Sequence, residues 1–73
     1  MVITVYEDYR GWSYKVMKDL AGNYRARYNK PGTSRWKSCL NLKPKENFFE
    51  AANDLASWAK QKNFKVLCKY EEE

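Results

Sequence analysis

WSYKVMKDLAGNYRARYNKPGTSRWKSCLNL, residues 12–42, is the stretch that decides the fold. It divides into three short runs, WSYKVMK, NYRARYN and SRWKSCLNL, separated by two turn signals. In the first turn Gly22-Asn23 supplies residues that tolerate positive φ, as a tight hairpin requires. In the second, Pro31 presets φ and Gly32 accepts positive φ at the next position, the type II arrangement. Side chains of a strand alternate between the two faces of a sheet. One alternating set is Trp12, Tyr14, Val16, then Tyr24, Ala26, Tyr28, then Trp36, Ser38, Leu40 and Leu42. The other is Ser13, Lys15, Met17, then Arg25 and Arg27, then Arg35, Lys37, Cys39 and Asn41. The pattern predicts an antiparallel meander with one aromatic-apolar face and one cationic face.

The flanking segments supply cover for the aromatic face. Residues 2–9, VITVYEDY, are β-branched and aromatic and read as a strand. Ile3, Val5 and Tyr9 share one side of it and Val2, Thr4 and Tyr6 the other, so it is expected to be central in the sheet or covered on both sides. Gly11 then marks either a hairpin turn made with Asp8, Tyr9 and Arg10, the favoured reading, or a bulge inside one long bent strand. After Lys43-Pro44-Lys45, which cannot extend a sheet, Asn47 reads as a helix N-cap with Glu50 three residues on. Phe48, Ala51, Ala52, Leu55, Trp58 and Ala59 recur at helical spacing, and Asn63 is a helix stop. FKVLCKY follows as a last strand with Phe64, Val66, Cys68 and Tyr70 on one face. The expected fold is α+β: a meander sheet of four to five antiparallel strands, packed on one face by a single helix, in the order β-β-β-β-α-β. The whole of 1–73 is expected to be one small domain, with the acidic tail 71–73 frayed.

The charge is uneven. Net charge is +5, yet between Arg10 and Lys45 ten basic residues stand against the single acid Asp19, a local balance of +9. Such a window is the usual footprint of a polyanion partner. The two cysteines are too few for a disulfide scaffold and do not have metal-ligand spacing. With no histidine, most zinc arrangements and every histidine-based acid–base device are excluded. Cys39 falls on the expected cationic face, where positive charge lowers a thiol pKa, but no base accompanies it, so neither enzyme nor cofactor is expected. No run is long enough to span a bilayer, and a reducing, cytoplasmic setting is expected, as a monomer or weak homodimer.

The candidate site is the cationic face: Lys15, Arg25, Arg27, Arg35 and Lys37, with Lys30 and Lys43 adding charge at the rim. Cross-strand neighbours lie about 5 Å apart, so five cations in one patch repel one another unless an anion joins them. The planar fork of arginine suits phosphate or guanine. The aromatic set Trp12, Tyr14, Tyr24, Tyr28 and Trp36 is read as core beneath the helix rather than as a stacking platform. Lys43 and Lys45 precede the helix, whose first amides offer a weaker anion site in competition with Glu46 and Glu50. With its Gly11-Trp12 start and Arg-rich second strand, the layout of residues 12–62 looks like the PC4-like single-strand binders, whose sheet grips unpaired bases, and also resembles the sheet readers of AP2-type domains and of the arm-binding domains of tyrosine recombinases. The latter resemblance implies a sheet laid in the major groove of DNA. The expectation is a nucleic-acid-binding module, with duplex DNA or structured RNA as the partner. The competing expectation is a protein-interaction or inhibitor module that docks through an edge strand or the basic face.

Overall fold

A computed structural model of the chain describes residues 1–72. The elements are β1 (Val2–Glu7), β2 (Ser13–Lys18), β3 (Tyr24–Asn29), β4 (Lys37–Ser38), α1 (Phe48–Lys62) and β5 (Lys65–Glu71). The strands make one five-stranded antiparallel sheet in the order β4-β3-β2-β1-β5, and α1 packs against it. This is the α+β architecture that the residue pattern predicts. The meander fills one side of the sheet, and α1 carries the chain back so that β5 pairs with β1.

The turns form where their residues allow. The Asp8 amide donates to the Trp12 carbonyl (3.0 Å) and the Gly11 amide to the Asp8 carbonyl (3.0 Å), which makes residues 8–11 a hairpin turn. Between β2 and β3 the Asp19 amide donates to the Asn23 carbonyl (2.8 Å), with Gly22 at φ +87°. After β3 the Thr33 amide donates to the Lys30 carbonyl (3.2 Å), with Gly32 at φ +80°. Residues with a Cβ rarely adopt either angle.

Both ends of α1 are closed by asparagine. Asn47 Oδ1 accepts from the amides of Phe49 (2.7 Å) and Glu50 (3.4 Å), which satisfies two donors that the helix itself leaves free. At the other end Asn63 adopts φ 60° and donates to the Lys60 carbonyl, while the Phe64 amide reaches the Ala59 carbonyl (2.9 Å). These are the paired bonds of a Schellman motif. The helix lies over β2 and β3 and buries Phe48, Ala51, Leu55 and Ala59. Leu55, 1 % exposed, belongs to one core cluster with Tyr14, Val16 and Ala26. Alanines let the middle of the helix sit close, and rings fill its ends: Tyr24 meets Phe48 edge-on (5.7 Å) and Trp58 meets Tyr14 (5.5 Å).

Three features differ from the sequence reading. SRWKSCLNL is not a strand over its length; only Lys37 and Ser38 pair with β3. The Asn29 side-chain amide donates to the carbonyls of Thr33 (3.0 Å) and Arg35 (2.8 Å), so side-chain bonds replace a backbone ladder there. Beyond Ser38 the chain turns, with the Leu42 amide on the Cys39 carbonyl (3.2 Å), and Leu40 is 84 % exposed. It rejoins β3 at one point, where Lys45 and Tyr24 exchange both backbone hydrogen bonds. The second difference is a bulge. Val5 faces Cys68 but Tyr6 faces Val66, so Leu67 is an extra residue in β5. The third concerns the tail expected to fray. Glu71 ends β5 and pairs with the Met1 ammonium (3.0 Å), and the Glu72 amide donates to the Met1 carbonyl (2.8 Å). Glu73, the rest of that tail, lies outside the described residues.

Truncating the central core contact tests this packing. Leu55→Ala is expected to cost about 2–5 kcal/mol, and Asn47→Ala about 1 kcal/mol through loss of the cap. Urea unfolding at neutral pH measures both.

Candidate nucleic-acid interface

The register of β2 and β3 sorts the basic side chains. Tyr14 faces Tyr28 and Val16 faces Ala26 on the helix side, so the alternate pairs, Lys15 with Arg27 and Met17 with Arg25, lie on the open face. Lys15, Arg25 and Arg27 are thus neighbours on a surface that α1 does not cover, each half-buried. Like charges directly opposite one another destabilise a sheet. Among the described residues none of the three forms an ion pair with a carboxylate.

Rings and one carbonyl contact these cations. Lys15 Nζ donates to Tyr70 Oη (2.9 Å) and stands over the rings of Trp36 (4.7 Å) and Tyr70 (5.3 Å). Each such cation–π contact stabilises by about 0.5–1 kcal/mol or more. Arg27 Nη1 donates to the Trp36 carbonyl at 3.4 Å, near the limit for a hydrogen bond. Its Nε is buried with no acceptor, a state that costs about 1–3 kcal/mol.

The five-cation patch expected from sequence is divided in the structure. β4 pairs Arg27 with Ser38 and Tyr28 with Lys37. This is a slip of one residue from the expected register, and such a slip moves every side chain to the other face. Lys37 therefore lies on the helix side of the sheet, with Arg35 in step with it. Lys30, Arg35 and Lys37 surround Tyr28 and Thr33 at a small cavity of about 140 Å³. Trp36, expected in the core, lies on the open face beside Lys15 instead. Lys43 is exposed in the loop before α1 and joins neither group. Asn47 already occupies the first helix amides, and Lys45 pairs with Asp54 (3.5 Å).

Tyr70 also changes face, because the extra Leu67 shifts the alternation of β5. Phe64 stacks on Tyr14 (4.7 Å) on the helix side, whereas Tyr70 reaches Lys15 on the other. Neither Trp36 nor Tyr70 carries a local sequence signal that places it beside Lys15. Cys39, expected among the cations, is 5 % exposed in the core beneath the helix. Burial pushes its thiol up, against smaller opposing effects of the Asn41 backbone and Arg25.

A separate polar cluster closes the β1–β2 hairpin. Asp8 is buried and accepts from the amides of Arg10 (2.9 Å) and Trp12 (3.0 Å), from Arg10 Nε (3.1 Å) and Nη2 (2.9 Å), and from Tyr14 Oη (2.8 Å). The Arg10 guanidinium lies 3.5 Å from the centre of the Trp12 ring, and Trp12 stacks in turn on Tyr28 (5.4 Å). Arg10 belongs to the basic window, yet its charge is committed to Asp8. Searches among protein families, curated proteins and solved structures find no match for this chain.

The Asp8–Tyr14 pair sets a pH signature. Burial alone would raise the Asp8 carboxyl, but the bonds from Arg10, Tyr14 and the Trp12 and Arg10 amides outweigh it and hold it below its ordinary 3.8. A lowered carboxyl stabilises the fold above its unfolded value, and that contribution is lost as pH falls through the folded value. Burial and the bond to Asp8 push Tyr14 from 10.0 up to about 12. Its contribution is present below pH 10.0 and lost as pH rises through about 12. Stability measured against pH is expected to fall on both sides. Asp8→Asn should flatten the acid limb and Tyr14→Phe the alkaline limb.

Proposed function

We propose that the protein binds nucleic acid through the open face of its sheet, with Lys15, Arg25 and Arg27 at the centre of contact. The observation that carries this reading is the unpaired juxtaposition of Lys15 and Arg27 on adjacent strands. A phosphate between them offsets their repulsion and gives the Arg27 guanidinium an anionic acceptor, a stronger interaction than a neutral bond. Strands packed on one face by a helix form a firm base for these side chains, so little order is lost on binding. A backbone laid over the β4 edge meets Lys30, Arg35 and Lys37 as well. Duplex DNA or structured RNA suits a broad sheet face. Trp36 adds an indole beside Lys15, which is a stacking group for an unpaired base.

Titrations with duplex DNA, single-stranded DNA and structured RNA at several salt concentrations test the reading. Three to five phosphate contacts predict a slope of log K on log salt of about −3 to −4.5 for a duplex. Lys15→Ala, Arg25→Ala and Arg27→Ala should each weaken binding about tenfold at low salt and reduce that slope by about 1. Lys60→Ala, at the end of the helix, should leave it unchanged. Absence of binding to all three nucleic acids at low salt ends the proposal.

A further inference from the structure

A cavity of about 480 Å³ opens between the end of α1, the β1–β2 hairpin and the turn that follows β4. Cavities of about 300–1,000 Å³, lined by rings and a few polar groups, are the usual form of a small-ligand site. Trp12, Tyr28, Trp58 and Phe64 line this one, and each is only half-buried. Tyr9 and Leu40 join them, and both are almost wholly exposed. A flat apolar group entering here removes the free surface of several rings from water at once.

The charges around the cavity select what that group carries. Among the described residues Asp8 is the one acid that lines it. Its carboxylate already accepts five hydrogen bonds, and a carboxylate has about four lone-pair sites, so a cationic ligand finds no acceptor. Lys62 contributes a positive charge from the last turn of α1, and Asn41 contributes an amide with donor and acceptor side by side. Next to this cavity, towards β4, lies the smaller one with Lys30, Arg35 and Lys37, and no acid lines it. Three cations around one point suit a dianionic phosphate better than a single carboxylate. Tyr28 lines both cavities, so a ring in one and a phosphate in the other must be joined by a spacer. The ribose of a nucleotide is such a spacer, whereas the phosphate of phosphotyrosine is attached to the ring itself.

We infer that this side of the sheet binds one unpaired nucleotide, with its base in the aromatic cavity and its phosphate among Lys30, Arg35 and Lys37. Stacking on rings accepts any base, and the Asn41 amide matches the edge of adenine best. The same chemistry has two sources, a free mononucleotide and an unpaired nucleotide at the end of a strand. The site lies across the sheet from Lys15, Arg25 and Arg27 and does not depend on the reading of that face.

The indole N–H signals in NMR separate the two faces, because Trp12 and Trp58 line the cavity whereas Trp36 lies beside Lys15. Titration of the full chain with adenosine monophosphate at low salt is expected to shift the Trp12 and Trp58 signals, saturating at millimolar concentration or below, and to leave Trp36 in place. Adenosine and ribose phosphate, each lacking half of the ligand, should bind about tenfold more weakly or worse. Arg35→Ala and Lys37→Ala, both at exposed positions, should each weaken adenosine monophosphate about tenfold and leave adenosine unchanged. Lys15→Ala should alter neither. A duplex with a one-nucleotide overhang, set against the blunt duplex, distinguishes the sources: shifts with the free nucleotide mark a mononucleotide site, and shifts with the overhang alone assign it to a strand end. Failure of the open face would appear separately, as loss of duplex binding with the mononucleotide shifts intact. Silence of Trp12 and Trp58 towards both the mononucleotide and the overhang overturns the inference. So does ribose phosphate binding as well as adenosine monophosphate, or phosphotyrosine binding more tightly than either.

Discussion

Tyr14 is the contact on which the rest of the structure depends. Its ring stacks on Phe64, meets Trp58 edge-on and lies beside Tyr28. Thus one side chain of β2 touches the end of α1, the residue that leads into β5 and the neighbouring strand β3. Its hydroxyl donates to Asp8, whose carboxylate also gathers the Arg10 and Trp12 donors of the first hairpin. Small domains bury a limited share of their surface, so stability here is concentrated in a few large rings. The hydroxyl gives the most buried of these tyrosines a polar partner and removes the cost of an unsatisfied donor.

The position of the helix divides the sheet into a covered and an uncovered face. α1 covers the inner face of β2 and β3, which leaves the outer face of those strands to Lys15, Arg25 and Arg27. It does not extend over β5, which keeps an exposed edge. The two surfaces therefore differ in chemistry: a cationic sheet face and an exposed strand edge.

Much of this was legible in the chain. The alternation in β2 and β3 assigned Tyr14, Val16 and Ala26 inward and Lys15 and Arg27 outward. The asparagine caps at 47 and 63 bounded the helix, and Pro31-Gly32 marked the turn. The errors fell where side chains or a bulge displaced the ladder. Asn29 and Arg27 bond carbonyls between Thr33 and Trp36, which is a tertiary interaction with no periodic trace. The extra Leu67 shifts one half of β5 relative to the other, and alternation alone cannot reveal it.

Element type, turn position and the face of each regular strand follow from local periodicity and backbone preference, and residues 12–29 carry enough of both to be read directly. Register between strands depends on which carbonyls are already taken by side chains and where one residue is inserted. That is why the sequence alone determined a basic, helix-backed meander. Only the tertiary structure decided that Arg35 and Lys37 leave the cationic face while Trp36 and Tyr70 join it.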